Sequence, residues 1–150
     1  TDVAVAGGLV VEPLSDATVT RVREIAPDWM NVKNPLDLGP SGLFNQLTPI
    51  LLNDPLVDMA ILIIAVPYSY IKVIKEMGIK LADAFGELEE VRAGLATPKP
   101  FVIAVVGHDD FVDEIAGIAG DTIPVYTSPE AAAAALAGLW KYTKATGQAK

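Results

Sequence analysis

The chain has 150 residues, of which 51% are hydrophobic and 20% are charged, so it can form one core of ordinary size and has little room for a second. Nineteen acidic residues against eleven basic ones give a net charge of −8, and the basic residues are scattered singly. This argues against binding to nucleic acid or to an anionic membrane. Because there is no cysteine, disulfides, thiolate nucleophiles and cysteine-ligated metals are excluded.

The longest apolar run covers residues 59–66 and is far shorter than the ~20 residues that span a bilayer. The first residues do not combine a basic stretch with an apolar one, as a secretory signal does. We therefore expect residues 1–150 to form a single cytoplasmic domain without a membrane span.

The first elements are a strand and a helix. Residues 9–14 form a short apolar run that predicts a strand, and the Gly7 and Gly8 pair before it is typical of the end of a helix. Ser15 stands where a helix N-cap belongs. The apolar residues that follow recur at helical spacing until Pro27, which predicts a helix over residues 16–26.

Two unbroken apolar runs, residues 58–66 and 101–106, alternate with helical patterns. Such runs are typical of parallel strands that helices cover on both faces. Residues 122–126 contain Pro124, which cannot donate to a neighbouring strand and so suits a sheet edge. The pattern predicts an α/β fold with a doubly wound parallel sheet.

Helices are expected between and after these strands. Residues 71–95 carry apolar residues at helical spacing, interrupted by Gly78 and Gly86, which each weaken a helix by ~1 kcal/mol. The pattern predicts one long helix or two helices joined near Gly78. Residues 110–119 predict a shorter helix. Ser128, Pro129 and Glu130 combine a cap, a first-turn proline and an acid at the positive end of the dipole, so the last helix is expected to start there.

A doubly wound sheet normally opens with a central strand, whereas this sequence is expected to start inside the helix that would follow that strand. We therefore expect a domain truncated at its N-terminus, whose sheet lacks its first strand. The empty place would lie beside residues 9–14 and 58–66. An open edge of this kind predicts homo-oligomers or strand exchange.

The candidate site is the loop of residues 34–42, which leads into an amphipathic helix. Its marked positions are Asn34, Asp37, Gly39, Ser41 and Gly42. Free N–H groups at a helix start, together with the helix dipole and with glycines that let an anion approach, form a phosphate site. An ordinary capped loop uses the same residue types, and spacing alone does not decide between the two.

Several motifs in order resemble a known family. Residues 34–38 read Asn-Pro-Leu-Asp-Leu, and residues 53–58 read Asn-Asp-Pro-Leu-Val-Asp before an apolar strand. Residues 8–18, 98–102 and 123–132 add a Leu-Ser-Asp-Ala-Thr cap, a Lys-Pro-Phe-Val strand and an Ile-Pro-Val-Tyr-Thr-Ser-Pro-Glu ending. Together they resemble the ligase-CoA domain of ADP-forming acetyl-CoA synthetases, in the superfamily of NDP-forming acyl-CoA synthetases that includes succinyl-CoA synthetase.

The resemblance implies a flavodoxin-like sheet and a role for the loop in stabilising a phosphohistidine that another domain carries. It implies the overall reaction acyl-CoA + ADP + phosphate = acid + CoA + ATP, with CoA, ATP or ADP and Mg used by the parent enzyme and no cofactor in this domain. The implied partners are the CoA-binding and ATP-grasp domains or subunits. The isolated domain is expected to be inactive, with no catalytic residue of its own.

Some features depart from the family pattern. Pro49 lies inside the helix after the loop, where it removes a hydrogen bond and is costly unless the helix bends or restarts at Thr48. We expect a kink. The loop that would follow the absent first strand cannot contribute substrate contacts. Residues 68–97 are longer than usual for the family and are expected to form a lid or an interface.

His108 follows a central strand, at the edge where doubly wound folds bind ligands. In the family that the chain resembles, the phosphorylated histidine belongs to another domain, so His108 is interpreted as structural or as a capping residue. Asp109 and Asp110 are interpreted as helix caps rather than metal ligands. Trp29 and Trp140 are interpreted as core or interface packing.

Other functions stay open. A non-catalytic acyl-CoA-sensing or docking domain, such as the synthetase-like half of a protein acetyltransferase, would share the motifs and differ in its fused neighbours. A signalling receiver domain needs acids at the strand ends, where Val66 and Val106 stand instead. A flavodoxin needs a flavin phosphate loop that the sequence does not show. The acyl acid and the choice of ADP or GDP are left open.

Overall fold

The structure is a computed structural model that describes residues 1–86 and 88–147. Within these residues it is an α/β fold with a three-stranded, all-parallel sheet in the order β1-β2-β3. The strands are β1 (Ala60–Ala65), β2 (Phe101–Val106) and β3 (Val125–Tyr126). The predicted flavodoxin-like, doubly wound sheet that lacks a strand is confirmed.

Helices precede, connect and follow the strands. In chain order they are α1 (Asp2–Ala6), α2 (Asp16–Arg23), α3 (Phe44–Leu52), α4 (Tyr68–Glu76), α5 (Leu81–Phe85), α6 (Leu88–Ala93), α7 (Asp109–Ala119) and α8 (Pro129–Ala145). The predicted starts at Ser15 and Ser128 are confirmed, since each serine hydroxyl accepts an N–H bond from the first turn of its helix.

β2 is the centre of the sheet and is buried through its first five residues. On one face Ile103 and Val105 pack against α7, and on the other Ala104 packs against Leu136 of α8. Helices therefore cover β2 on both faces, as its unbroken apolar run predicts.

β1 is as apolar as β2 but less covered. It pairs with β2 along all six of its residues, and the structure describes no strand on its other side. The side chain of Ile63, which points to a face of the sheet rather than to its edge, is 55% exposed, so this part of that face is not covered. The prediction that helices cover both faces is confirmed for β2 and is wrong for this part of β1.

The strand predicted at residues 9–14 is not formed. The segment has no regular secondary structure, and the N–H groups of Val10, Val11 and Glu12 have no backbone acceptor among the described residues. A strand is stabilised by hydrogen bonds to a neighbouring strand, and no described strand pairs with this segment. The helix end predicted before it is confirmed, because α1 stops at Gly7 and Gly8 has a φ of +94°.

Residues 68–97 fold into three helices rather than one or two. Gly78 ends the turn after α4 with a φ of +75°, a conformation that favours glycine. Gly86 ends α5, so both glycines interrupt the helical pattern instead of only weakening it.

A second core lies between α2 and α3. Its buried residues are Leu14, Val22, Met30, Val32, Leu47 and Ile50. α3 continues through Pro49 without a restart at Thr48. The Thr48 hydroxyl donates to the carbonyl of Phe44 at 2.7 Å and remains buried inside the helix.

Candidate functional site

The predicted loop ends at the start of α3 and takes its shape from its glycines. Gly39 and Gly42 have φ values of +47° and +70°, in the region that favours glycine. An added Cβ at Gly42 would meet nothing within 4 Å, so its surroundings are open. The backbone before α3 is therefore accessible from outside.

Two side chains of the loop form hydrogen bonds with the backbone of the loop itself. The Asp37 carboxylate accepts the N–H of Gly39 at 2.9 Å, and the Ser41 hydroxyl accepts the N–H of Leu43 at 3.3 Å. The N–H of Ser41 donates to the carbonyl of Leu38. Asp37 and Ser41 thus fix the turn that leads into α3.

The first turn of α3 is left open. No side chain caps this helix, and the N–H groups of Phe44, Asn45 and Gln46 have no acceptor among the described residues. The turn contains no acidic residue. Free donors at the positive end of a helix dipole are the groups from which anion sites are built.

Asn34 is bonded elsewhere. Its amide donates to the carbonyl of Glu12 at 2.8 Å and so ties the beginning of the loop to the segment of residues 9–14. Asp37, Gly39, Ser41 and Gly42 form the approach to α3, whereas Asn34 anchors the other end of the loop.

Trp29 lies against this loop and is 59% exposed, so it is not a core residue. An added Cβ at Gly39 would lie 3.2 Å from the Trp29 ring, which shows how closely the indole approaches the loop. The ring borders an open depression beside the start of α3. That depression is lined by Ile25, Pro27, Trp29, Pro40, Ser41 and Leu43.

A buried carboxylate behind the site was missed by the sequence interpretation. Asp54 is 1% exposed and follows α3. It accepts the N–H and hydroxyl of Ser15 at 2.9 and 3.0 Å, and the N–H of Leu56 at 2.8 Å. Its own carbonyl accepts from the Lys99 ammonium at 2.6 Å. Asp54 therefore joins the start of α2, the end of α3 and the segment before β2.

Hydrogen bonding keeps Asp54 ionised. Burial alone would raise its pKa, but the N–H of Leu56, the Thr18 hydroxyl and the two groups of Ser15 together lower the pKa below the usual 3.8. Near Asp54 the sequence shows only Asn-Asp-Pro after an amphipathic run. Its partner Ser15 is 39 residues away, so no local pattern predicts the bond between them.

His108 is the N-cap of α7, and its Nδ1 accepts the N–H of Asp110 at 3.4 Å. The predicted capping role is confirmed. Its ring also packs against Tyr68 with centroids 5.5 Å apart. Within residues 1–86 and 88–147, no three His, Asp or Glu side chains converge as metal ligands would.

Fold and site together define a flavodoxin-like α/β domain with an open, glycine-bordered helix start. The chain is similar to the crystal structure of PH0766 from Pyrococcus horikoshii, with 26% identity over 95% of this chain and 32% of that one and a TM-score of 0.76. It is also similar to the dinucleotide-forming acetyl-coenzyme A synthetase 1 of Candidatus Korarchaeum cryptofilum. The apo form aligns over 97% of this chain and 30% of that one at 21% identity, with a TM-score of 0.72.

A second structure of the Korarchaeum synthetase, in complex with phosphate and ADP, gives a TM-score of 0.71 at the same identity and coverage. These neighbours include an acetyl-coenzyme A synthetase, as the resemblance predicts, and they confirm the fold. The chain spans about a third of the length of each of these solved structures.

No protein-family model and no curated protein matches the chain. Among the described residues, no helix is both long and apolar enough to cross a membrane.

Proposed function

We propose that this chain is a domain of an NDP-forming acyl-CoA synthetase and that its loop of residues 34–42 and the start of α3 stabilise a phosphohistidine carried by another domain. The reaction of the parent enzyme would interconvert acyl-CoA, ADP and phosphate with free acid, CoA and ATP. CoA, ATP or ADP and Mg would bind to other parts of that enzyme, which is placed in the cytoplasm.

The observation that carries the proposal is the open first turn of α3 in a chain whose fold matches part of an acetyl-coenzyme A synthetase. Residues 34–46 contain no lysine, arginine or histidine. Stabilisation of an anion there would rest on backbone N–H groups and on the helix dipole.

Such a site suits phosphoryl transfer, in which the protein mainly positions and neutralises charge. The donors of Phe44, Asn45 and Gln46 are fixed by the helix and need no rearrangement when charge develops. Asp37 would not contact the anion, because its carboxylate is engaged with the N–H of Gly39. Its role would be to hold the turn.

The first test uses the chain itself. In amide NMR spectra titrated with inorganic phosphate and with phosphoramidate, a small analogue of phosphohistidine, we expect the largest shifts at residues 42–46. Gln46→Glu places an acid in the exposed first turn, where it favours the helix but repels a bound anion, so the shifts should vanish. Ala134→Glu adds the same charge to an exposed position of α8 and should leave them unchanged.

The second test measures phosphohistidine formation from labelled ATP in the full-length synthetase. Gly42→Val should lower it roughly a hundredfold, because the side chain would block the anion from donors that are worth ~3 kcal/mol in the transition state. A side chain has more room at Gly42 than at Gly39, where it would strike Trp29, but at both positions it is strained by the positive φ. Asp37→Asn should be milder than Asp37→Ala.

Normal labelling in both Gly42→Val and Gln46→Glu would contradict the proposal and leave the loop as an ordinary helix start. The domain would then fit a non-catalytic docking or acyl-CoA-sensing role.

A further inference from the structure

The first turn of α3 is held from the side, although no side chain caps it. A helix start without a cap tends to fray, because its first N–H groups form no hydrogen bond that would keep the turn closed. The side chains of the turn must therefore hold it in place. Two of the contacts that they make are with α5, outside the loop of residues 34–42.

α3 lies between two cores. Leu47 and Ile50 are buried in the second core, whereas Leu52 is buried in the main core, defined here as the apolar cluster that contains Ile103 of β2. Phe44 is half-buried and packs against the main core. Because Phe44 is the first residue of α3, its side chain anchors the first turn at that end of the helix.

The ring of Phe44 meets a ring of α5. Phe44 and Phe85 lie edge to face, with centroids 5.0 Å apart and planes at 77°. An aromatic pair of this geometry stabilises beyond the burial of its area. Next to it, the Asn45 side-chain amide donates to the carbonyl of Asp83 at 3.4 Å, which is a long hydrogen bond. Two consecutive residues at the start of α3 thus contact α5.

α5 is itself fixed in the fold. Leu81 is 2% exposed and belongs to the main core. The Asp83 carboxylate accepts the N–H of Lys80 at 3.2 Å, which closes the first turn of α5. Gly86 ends the helix directly after Phe85. Phe85 is therefore presented by a short helix whose start is anchored in the core, so its ring resists movement of Phe44.

We propose that α5 supports the first turn of α3 and that Phe85 is a positioning residue for the N–H groups of residues 44–46. The inference rests on the proposed function, which assigns these groups to a phosphohistidine. Phe85 does not contact the phosphoryl group and acts only through Phe44. Part of the segment of residues 68–97, which the sequence predicts to be a lid or an interface, thereby serves the site.

Amide hydrogen exchange of the 150-residue chain tests this support without any ligand. The N–H of Leu47 donates to the carbonyl of Leu43 at 2.9 Å, so its exchange reports the opening of the first turn. Phe85→Ala should speed this exchange roughly tenfold, because the ring contact is lost. Phe85→Leu keeps much of the apolar volume but loses the edge-to-face contact, so it should stay folded and speed the exchange roughly threefold.

Leu136→Ala is the control for a general loss of stability. Leu136 is 3% exposed and lies on α8, which packs against the sheet and α1. Its truncation should destabilise the whole chain and leave the exchange of Leu47 unchanged, because the first turn of α3 opens locally without unfolding of the sheet.

A titration with phosphoramidate, followed in amide NMR spectra, measures the consequence for the site. The shifts of residues 42–46 in the wild-type chain give a dissociation constant. Phe85→Ala should raise this constant roughly two- to fivefold, because only the closed turn presents all three donors. Leu136→Ala should leave the constant unchanged, since it does not open the turn.

Unchanged exchange of Leu47 in both Phe85 variants would overturn the inference. An equal increase in Leu136→Ala would also overturn it, because the effect would then be a general loss of stability. Faster exchange in Phe85→Ala with an unchanged dissociation constant would show that Phe85 does not position the donors. If phosphoramidate causes no shift in the wild-type chain, the proposed function is contradicted, whereas the exchange of Leu47 still confirms or contradicts the support of α3 by α5.

Discussion

The sheet and the region of α2 and α3 bury their interiors in different ways. Around β2 the buried residues are apolar, with Ile103, Ala104 and Val105 fully buried. The buried polar residues among those described are Thr18, Thr48 and Asp54, and all of them lie in the region of α2 and α3. One region excludes water by packing, whereas the other organises its interior around an ionised carboxylate.

The difference follows from how each region satisfies its buried backbone hydrogen-bonding groups. A parallel sheet satisfies its backbone through strand pairing, so its side chains can be entirely apolar. The region of α2 and α3 has no strand and must join a helix start, a helix end and two loops. A single carboxylate that accepts several N–H and O–H bonds joins them, at the cost of making this region sensitive to pH.

The largest effect is expected from the sheet. Ile103→Ala should lower the free energy of unfolding by about 4 kcal/mol, because a fully buried side chain leaves a cavity that the tightly packed sheet cannot fill. Ile63→Ala on the exposed side of β1 is the matched control and should cost less than about 1 kcal/mol. Equal losses in urea denaturation would mean that β1 is as buried as β2.

Removal of the Asp54 carboxylate should lower the free energy of unfolding slightly less than Ile103→Ala does. Asp54→Ala leaves the donors of Ser15 and Leu56 buried without an acceptor, which is expected to lower the free energy of unfolding by about 3 kcal/mol at pH 7. Asp58→Ala, at an exposed carboxylate nearby in sequence, should change it little. If urea denaturation gave the same small change for both, Asp54 would not be the link between α2 and α3.

The contribution of the α2 and α3 region to the free energy of unfolding should depend on pH, whereas that of the sheet should not. The pKa of Asp54 is lower in the folded chain than in the unfolded one, so its contribution is fully present above about pH 4 and is lost as the pH falls through its folded value. The stability difference between wild type and Asp54→Asn should therefore narrow below about pH 4. The difference between wild type and Ile103→Ala should stay constant over the same range, as measured by urea denaturation.

The smallest effect is expected at the helix starts, where α8 and α3 can be compared. Ser128→Ala removes the cap of α8 and should cost about 1 kcal/mol. Ser41→Ala should cost only a few tenths, because the Ser41 hydroxyl accepts the N–H of Leu43 before α3 and leaves the first turn uncapped. Thermal unfolding of the two variants is the measurement. A larger loss of stability in Ser41→Ala than in Ser128→Ala would contradict the open start of α3.

The sequence predicted elements that depend on local signals. β2 has the predicted bounds, and α8 begins after Ser128 as expected, because an unbroken apolar run and a cap followed by proline are each contained within a few residues. His108 was likewise placed correctly as a cap. The glycines near residues 78 and 86 were recognised, but whether each one ends a helix depends on the packing of the helices around it.

The errors concern partners distant in sequence. Residues 9–14 have the composition of a strand, but pairing requires a neighbour that composition does not reveal. The bond of Asp54 to Ser15 and that of Asn34 to Glu12 join segments 39 and 22 residues apart. For the candidate site, the residue types predicted a loop that leads into a helix start at Asp37, Gly39, Ser41 and Gly42 and left open whether that start is capped. The anchoring of Asn34 and the nearness of Trp29 required the fold.

Because Trp29 lies close to Gly39, its intrinsic fluorescence can be used to monitor the loop. The sequence has two tryptophans, and only Trp29 lies beside the loop, since Trp140 is on α8. Because the Trp29 ring is partly in water and partly against the loop backbone, a rearrangement of the loop changes the polarity around the indole. Its emission wavelength therefore reports the state of the loop, and Trp140→Phe would isolate that signal without altering any residue at the start of α3.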